Sequence, residues 1–389
     1  MSNDRVILRT AGKELTGWTD VSITAGITMA ARSFTVGITY QWPQSKDVIS
    51  AVKLGDPVEV WIGGDPVVSG YIFATPMSYS ADSLQVSVSG RSRTADIVDC
   101  SPAAWLGRSV TSTQSDQWSA ARLVPPSGTI IAPVTPQASQ WKSQTIEQIA
   151  ADLCGPYGID VVRQVSTGDP ISQHAIDPGE TVFDSINRLL ANGQLFATDD
   201  AAGRLVLTSP GAGGNAAGGL EMGVNILTGS IQRDATEIFS DYVVIGQRSG
   251  SDQAFGSASN QIMASTTDPQ TERFRLLALD QSGEMTQDTC RQIASFEQRR
   301  RRALLQGVSY TVVGWRDALG KLWTPNTLVH VRDSFFGIDD DLLLAEVQYQ
   351  LSDQGSTATL NLAPLAAFEA APTLSESQTQ TSSWLDEVQ

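Results

Sequence analysis

Short segments in which apolar and polar residues alternate dominate the first hundred residues, and turn residues separate them. In the segment DPVEVWIGG, Val58, Val60 and Ile62 fall on one face of a strand, while Glu59 and Trp61 fall on the other. The other alternating segments are DVSIT, SFTVGITY, PVVSGYIF and SLQVSVSG. Several short strands at this spacing are typical of a β-barrel or β-sandwich. We therefore predict a first β-barrel domain over residues 1–100.

The same pattern returns towards the end of the chain, in the segments GVSYTVVGW, TLVHVRD, LLLAEVQYQLS and TATLNLAP. A helix is predicted before them, near residues 285–306, with acidic Glu284 and Asp288 early and the run Arg299–Arg302 late. The helix dipole favours this order of charges. We predict a second β-barrel domain over residues 231–366 that includes this helix.

Residues 54–90 and 323–364 share one order of features, which indicates a weak internal repeat. Each opens with a proline-containing turn and continues with a short alternating strand, a turn with Gly and Asp, a longer apolar strand, a polar turn and a final alternating strand. The chain is therefore predicted to be mainly β, with two tandem β-barrels, an α+β insertion and smaller decorating domains. Three such chains around an axis would place six similar barrels in a ring, which suits a six-fold partner.

Between the two predicted barrels the pattern changes twice. Residues 101–144 are rich in Pro, Ser, Thr and Gln, and Trp105, Trp118 and Trp141 favour an extended loop region that lies on a neighbouring domain over a disordered linker. Residues 145–209 combine two helical patterns with short strands and a hairpin, which predicts an inserted α+β domain.

Two further segments show no regular period. Residues 210–230 form a glycine-rich linker and return segment, and lack the lysine and hydroxyl residue that a phosphate-binding loop places after its glycines. Residues 367–389 form a polar C-terminal tail. Its apolar Trp384 and Leu385 suit docking to a partner, although a frayed terminus fits equally well.

The balance of charge and the cysteine content limit the classes of function. The 42 acidic residues outnumber 26 basic ones, for a net charge of −16, so the chain is a poor candidate for wrapping DNA and is expected to let DNA pass without specific binding. No stretch is long and apolar enough to insert into a membrane, and the first residues do not resemble a secretory signal, so we expect synthesis in a host cytoplasm. Three widely spaced cysteines indicate reduced thiols.

No motif for catalysis, cofactor binding or metal binding is found. The two histidines, His174 and His330, belong to no metal-ligand spacing, and no CxxC or GxSxG motif exists. A catalytic pair of Cys154 and His174 is conceivable but poorly supported. The run Arg299, Arg300, Arg301, Arg302 could bind nucleic acid, but a solvated helix end or an intersubunit basic patch fits an acidic protein better. We predict no enzyme, no cofactor and no metal.

The segment VSVSGRSRTADIVDCS joins a strand to a basic turn and an acidic stretch. It contains Gly90, Arg91, Arg93, Asp96 and Asp99. Two interpretations are open: an anion-binding loop at the start of a helix, or a structural joint between domains. Asp96 and Asp99 in the first helical turn weaken the anion site, because their charge opposes a bound anion.

The segment GRSRTADIVDCS resembles the motif that closes the first barrel in the phage Mu-type baseplate hub family of contractile tails. The resemblance also covers GDPVEVWIGGDPVVSGYI, YGIDV, GETVFDSINRLLANGQLFATDDAAGRLVL, GWRDALGKLWTPNTLVHVRD and LLLAEVQYQLSDQGSTATLNL. It implies a trimeric, pseudo-hexameric ring in the virion tail baseplate that joins the six-fold tail tube to the three-fold central spike and lines the DNA channel. It implies partners among tail tube, central spike and other baseplate proteins, and it favours the joint for residues 90–99.

Two alternatives remain open at this stage. The chain could be the hub of a phage-derived injection device, such as a contractile bacteriocin. It could also be a tail-associated glycan-binding or cell-wall-hydrolysing protein, although the absence of catalytic motifs weighs against hydrolysis.

Overall fold

The alternating segments are strands in the computed structural model, which describes residues 4–41, 52–80, 83–106, 118–190, 195–247 and 261–369. The helices are α1 (Ala95–Asp99), α2 (Ala120–Leu123), α3 (Ile146–Cys154), α4 (Val182–Leu190) and α5 (Gln287–Leu304), with 3₁₀ turns at Ala103–Leu106, Gly155–Tyr157, Ala235–Glu237 and Leu365–Ala367. The strands are β1 (Val6–Thr10), β2 (Lys13–Leu15), β3 (Asp20–Gly26), β4 (Ser33–Gln41), β5 (Pro57–Ile62), β6 (Asp65–Ala74), β7 (Met77–Tyr79), β8 (Ser83–Ser92), β9 (Thr129–Ile131), β10 (Gln140–Gln144), β11 (Val161–Arg163), β12 (Ile171–Ala175), β13 (Phe196–Asp199), β14 (Leu205–Thr208), β15 (Asn215–Glu221), β16 (Ile226–Ile231), β17 (Asp241–Gln247), β18 (Gln261–Thr267), β19 (Leu276–Glu284), β20 (Val308–Val313), β21 (Leu328–Asp333), β22 (Ile338–Ser352) and β23 (Gly355–Ala363). The mainly β prediction is confirmed.

The chain divides into two compact units. Among the described residues, the first comprises 4–234 and 303–369, and the second comprises 235–302. The second unit is a three-stranded sheet in the order β18-β17-β19 and most of helix α5, with a core around Tyr242, Met285 and Cys290. Residues 231–366 were predicted as one β-domain, but 235–302 form a unit of their own because α5 packs on a separate sheet.

The first unit contains a 14-stranded sheet that both ends of the chain build. Its main path runs β16-β20-β23-β22-β3-β4-β8-β6-β5-β1-β2, with β21 paired to β22, β15 to β21, and β7 to β8. The central connection is the antiparallel pairing of β22 with β3, from Glu346 opposite Gly26 to Leu351 opposite Val21. The strands predicted as two tandem barrels are therefore hydrogen-bonded into one sheet.

Apart from β2 and β7, the sheet consists of two copies of one six-stranded arrangement. The N-terminal repeat (β1, β3, β4, β5, β6, β8) has the spatial order 3-4-8-6-5-1, and the C-terminal repeat (β15, β16, β20, β21, β22, β23) has the order 16-20-23-22-21-15. In chain order, each strand of one repeat corresponds to the strand at the same place in the other. The internal repeat predicted from the pattern of residues is therefore a repeat of topology.

Alternation of side chains produces the core of this sheet. Val58, Val60 and Ile62 are buried in it, as their spacing predicts. Glu59 and Trp61 on the opposite face are also buried, at 6% and 5% exposure, although the alternation alone leaves them facing solvent. The segment that opens α2 covers Glu59, and the Arg9 guanidinium lies 4.4 Å from the centre of the Trp61 ring. The Glu59 carboxylate accepts hydrogen bonds from the Ser119 hydroxyl and, at 2.7 Å, from the Ala120 backbone N–H.

The α+β insertion has two small sheets and a core shared by α3 and α4. One sheet has the order β13-β14-β11-β9, and the other pairs β10 with β12. Strands β9 and β10 come from residues 101–144, which were predicted as an extended loop. Three- and five-residue strands are too short to show a clear alternation, and their partners β11 and β12 lie later in the chain.

The glycine-rich segment 210–230 also contributes two strands, although it was predicted as a linker. Strand β15 runs parallel to β21, and β16 is antiparallel to β20. A methyl group on Gly213 would lie 2.5 Å from the Asn326 carbonyl oxygen, and one on Gly219 would lie 2.6 Å from the His330 carbonyl oxygen. These glycines therefore serve close backbone approach, which their composition alone does not distinguish from flexibility.

Candidate functional site

Residues 90–99 carry strand β8 into helix α1, at the boundary between the sheet and the insertion. Gly90 lies opposite Phe34, where a side chain would overlap the Phe34 ring. Arg91 Nη1 donates to Asp99 Oδ2 at 2.7 Å, and both side chains are partly exposed. The first arginine of the motif is therefore paired within its own chain.

Arg93 is the buried member of the motif, at 3% exposure. Its backbone N–H donates to the Ser69 carbonyl oxygen at 3.0 Å, its Nη2 donates to the Gly158 carbonyl oxygen, and its guanidinium lies 5.1 Å from the centre of the Trp118 ring. Burial lowers the pKa of Arg93, and nearby carboxylates such as Asp160 oppose this shift. The side chain thus connects the sheet to the insertion.

Helix α1 extends the motif into the core of the insertion through Ile97, which is fully buried there. Burial raises the pKa of Asp96, and the neighbouring Asp99 carboxylate adds to the shift. The five-residue helix contains two carboxylates, Asp96 and Asp99, whose charge repels an anion. Because Arg91 and Arg93 are engaged in contacts within the chain, the geometry disfavours the anion-binding loop.

A second tie between sheet and insertion was missed by sequence reasoning. The Arg32 backbone N–H and Nε donate to the Asp199 carboxylate at 2.9 and 3.1 Å, and Arg32 Nη1 donates to the Val67 carbonyl oxygen at 3.1 Å. Asp199 is nearly inaccessible, so burial raises its pKa while Arg32 opposes the shift. The partners are 167 positions apart and belong to no motif, so no local pattern signals the pair.

The conceivable Cys154 and His174 pair is not supported by the geometry. Cys154 is fully buried at the end of α3, and burial raises the pKa of its thiol, which disfavours the nucleophilic thiolate. The His174 Nε2 is 2.8 Å from the Ser185 hydroxyl, and burial lowers the pKa of His174. His330 is exposed on β21 and lies 2.9 Å from the Asp341 carboxylate.

In the part of the chain that the structure describes, no group of three or more His, Cys, Asp or Glu side chains is placed to hold a metal ion. In the same part, no helix has the length and apolar character needed to cross a membrane.

The four arginines at the end of α5 are not equivalent. Arg301 pairs with Glu237 at 2.5 Å and with Glu297 at 3.0 Å, and Arg302 pairs with Asp268. These contacts lie within the second unit. Arg299 is exposed and Arg300 is partly exposed. The intersubunit basic patch stays a prediction. Trp384 and Leu385, the predicted docking residues of the tail, lie outside the described residues.

Three family models match successive parts of the chain. They are described as "Mu phage baseplate assembly protein GpP-like, N-terminal" over residues 5–92, "Baseplate hub protein gp44-like, second domain" over 129–209, and "Mu phage baseplate assembly protein GpP, fourth domain" over 286–371. Baseplate hub protein gp44 of Escherichia phage Mu is 32% identical over 381 residues, covering 95% of this chain and 89% of that protein. The chain belongs to the Mu-type baseplate hub family.

Two solved structures are similar to this hub protein over nearly its whole length. The 43 kDa tail protein of prophage MuSo2 from Shewanella oneidensis is 28% identical with a TM-score of 0.76, and the match covers 94% of this chain and 100% of that one. A tail protein from Neisseria meningitidis MC58, 22% identical with a TM-score of 0.66 over 95% and 99% of the chains, shares the fold. The protein is a structural baseplate component of a phage tail and not an enzyme.

Proposed function

We propose that three copies of this hub form a pseudo-hexameric ring that joins a six-fold tail tube to a three-fold central spike and surrounds the DNA path. The observation that carries this proposal is the repeat of topology, because each chain supplies two six-stranded arrangements with the same strand order. Three chains supply six such arrangements, which match a six-fold tube, and the three-fold axis of the trimer matches a three-fold spike. In this proposal each repeat corresponds to one tube-like barrel.

The exposed face of the sheet suits a path for passing DNA. Where β16, β20, β23, β22, β3, β4 and β8 pair in succession, the side chains opposite the core are mostly hydroxyls and amides: Ser230, Ser309, Thr311, Thr357, Thr359, Gln348, Gln350, Ser22, Thr24, Thr35, Ser87 and Ser89. The charged exceptions include Asp20, Glu346 and Arg91, and Arg91 is paired with Asp99. Lysines and arginines would bind phosphates, whereas uncharged groups release no counterions and hold DNA weakly. We propose that this face lines the channel.

The remaining predicted residues have supporting roles in this proposal. Gly90, Arg91, Arg93, Asp96 and Asp99 act as the joint that holds the insertion on the sheet. The tail residues Trp384 and Leu385 are proposed to dock on a neighbouring baseplate protein.

Electron microscopy of the purified full chain, alone and mixed with the tube and spike proteins of its own tail, tests the proposal. We expect three-fold rings with an open centre that bind the tube protein on one side and the spike on the other. A chain that stays monomeric in the presence of both partners would contradict it. Clearing of purified peptidoglycan by the chain would instead support a cell-wall hydrolase.

A further inference from the structure

The contact between the two repeats within one chain uses a defined pair of strands. The C-terminal half of β22 pairs with the edge of β3, and Gln348 lies opposite Thr24. Strand β22 is the fifth strand of the C-terminal repeat in chain order, and β3 is the second strand of the N-terminal repeat. The repeats therefore join fifth strand to second strand.

Each repeat also has the complementary strand, and each of these two strands has a stretch that is unpaired on one side among the described strands. The second strand of the C-terminal repeat is β16, which pairs only with β20 among the described strands. The fifth strand of the N-terminal repeat is β6, and its continuation β7 pairs only with β8 in the same set. Within the chain, the fifth strand β22 therefore pairs with the second strand β3. The fifth strand of the N-terminal repeat and the second strand of the C-terminal repeat have no such partner among the described strands.

Both open edges lack the features that normally prevent strands from pairing. The sequences of β7 and β16 are MSY and ILTGSI, without a charged residue, whereas exposed edges are usually blunted by lysine or other charges. Met77, Tyr79 and Leu227 are 52%, 83% and 54% exposed. Pro76 does not block its edge, because its carbonyl oxygen accepts from Ser87 of β8, so its missing N–H points to the same, occupied side.

We propose that residues 73–77 of one hub chain pair antiparallel with β16 of a second copy, and that this contact repeats the β22–β3 contact found within the chain. The inference rests on the proposed function and specifies its interface. A ring of three chains would then contain three internal contacts and three intermolecular contacts in alternation. All six second strands and all six fifth strands would be paired. A heterologous contact of this type either closes into a ring or grows into a filament.

The internal contact also supplies the register. We align the repeats on Phe34 and Tyr310, the buried aromatic residues of their third strands, which lie opposite Gly90 and Leu360. In this alignment Ala74 opposite Ser89 corresponds to Gln348 opposite Thr359. Ser230 lies opposite Ser309 as Thr24 lies opposite Ser33. Because Gln348 lies opposite Thr24, the register places Ala74 of one chain opposite Ser230 of the next. Continuing along both strands brings Met77 beside Leu227.

Disulfide trapping tests this register. Exposed Cys100 is first replaced by serine, whereas Cys154 and Cys290 are buried and are kept. Oxidation of the Ala74→Cys, Ser230→Cys variant, in the full chain or in assembled tails, should give linked dimers and trimers and no longer products. Facing strand positions lie within the roughly 4.4–6.8 Å between Cα atoms that a disulfide accepts. The matched control Ala74→Cys, Ser309→Cys places its second cysteine one strand further away, about 4.8 Å, and should give far less linked product.

A charge exchange at the second position keeps the inference testable if the cysteine variants fold poorly. Met77→Lys with Leu227→Lys should abolish the trimer, and Met77→Lys with Leu227→Glu should restore it. Trimers that form normally in the double-lysine variant, with no Ala74–Ser230 disulfide, would overturn this interface and leave the proposed hub intact. Absence of any trimer of the unaltered chain, alone and in tails, would instead contradict the proposed function.

Discussion

The two repeats of the sheet share a strand order but differ at their margins. The first and fourth strands of the N-terminal repeat, β1 and β5, are antiparallel, whereas the corresponding β15 and β21 are parallel. The fifth strand of the C-terminal repeat is one continuous strand of 15 residues, whereas its counterpart stops at Ala74 and resumes at Met77. The shared part is the centre of each repeat, where the core side chains alternate. The pairing of the central strands is therefore common to both repeats, and the differences between the repeats lie in their marginal strands.

The repeats also differ in where additional domains enter. The second unit lies between β16 and β20, and the corresponding connection in the N-terminal repeat is the short turn between β3 and β4. The α+β insertion follows β8, between the repeats. Both positions are ends of strands, where extra residues leave the ladder of hydrogen bonds intact.

One expected difference between the repeats concerns an aromatic ring that packs on a glycine in each of them. Phe34 covers Gly90 on a central strand, and Tyr310 covers Gly229 on the edge strand β16. Gly90→Ala would overlap the Tyr71 backbone as well as the Phe34 ring, so we expect the free energy of unfolding to fall by about 3 kcal/mol, the upper end of the usual cost of overpacking. The methyl group of Gly229→Ala would lie 2.8 Å from the Tyr310 ring and 3.1 Å from the Phe336 ring, with no backbone atom among its nearest contacts, so we expect a cost of about 1–2 kcal/mol.

Urea unfolding of the full chain measures both values. Gly37→Ala is the control, because its methyl group would meet the Asp20 side chain at an ordinary 3.5 Å on the exposed face. Equal losses for Gly90→Ala and Gly229→Ala would show that the two repeats are packed alike after all.

Removal of Arg32 should separate the insertion from the N-terminal repeat. Arg32→Ala leaves the Asp199 carboxylate buried without its cation, which typically costs about 3–5 kcal/mol. We expect earlier proteolysis of the insertion and a lower Tm. Arg91→Ala removes a partly exposed pair and should cost less than about 1 kcal/mol. A larger loss from Arg91→Ala than from Arg32→Ala would contradict the assignment of the main tie.

Tyr310→Phe would make the C-terminal repeat more like the N-terminal one, which has Phe34 at the corresponding place. The Tyr310 hydroxyl donates to the buried Asp333 carboxylate at 2.9 Å, so its loss should cost about 1.5–3 kcal/mol, the range for a hydrogen bond to a charged group. Chemical denaturation gives the value, with exposed Tyr79→Phe as the unaffected control. An unchanged stability would mean that Asp333 is satisfied by the Phe335 and Phe336 N–H groups alone.

A small effect is expected from a polar link between the repeats. Arg316 follows β20 and pairs with Asp4 at 2.7 Å and with Asp65 at 2.6 Å. Arg316→Ala should cost about 1 kcal/mol, and less in high salt, because Asp65 is exposed and the pairing of β22 with β3 already holds the repeats together. A loss as large as that of Arg32→Ala would assign Arg316 a main part in joining the repeats.

The centre of the fold could be predicted from the sequence, and its connections could not. Alternation at Val58, Val60 and Ile62 identified core strands, and the order of turns revealed the repeat. The pairing of β22 with β3 joins residues more than 300 positions apart, and no local period encodes it. For the same reason Arg93 was found in a motif, but its contacts with Gly158 and Trp118 were not.

Cryo-electron microscopy of assembled tails tests the central claim most directly. The account predicts a three-fold ring in which both repeats of each chain lie at the same level, with six similar β-units around an open channel and β16 of each chain against residues 73–77 of its neighbour. A baseplate in which the two repeats lie at different levels, or in which the chain is present in a number other than three, would contradict it.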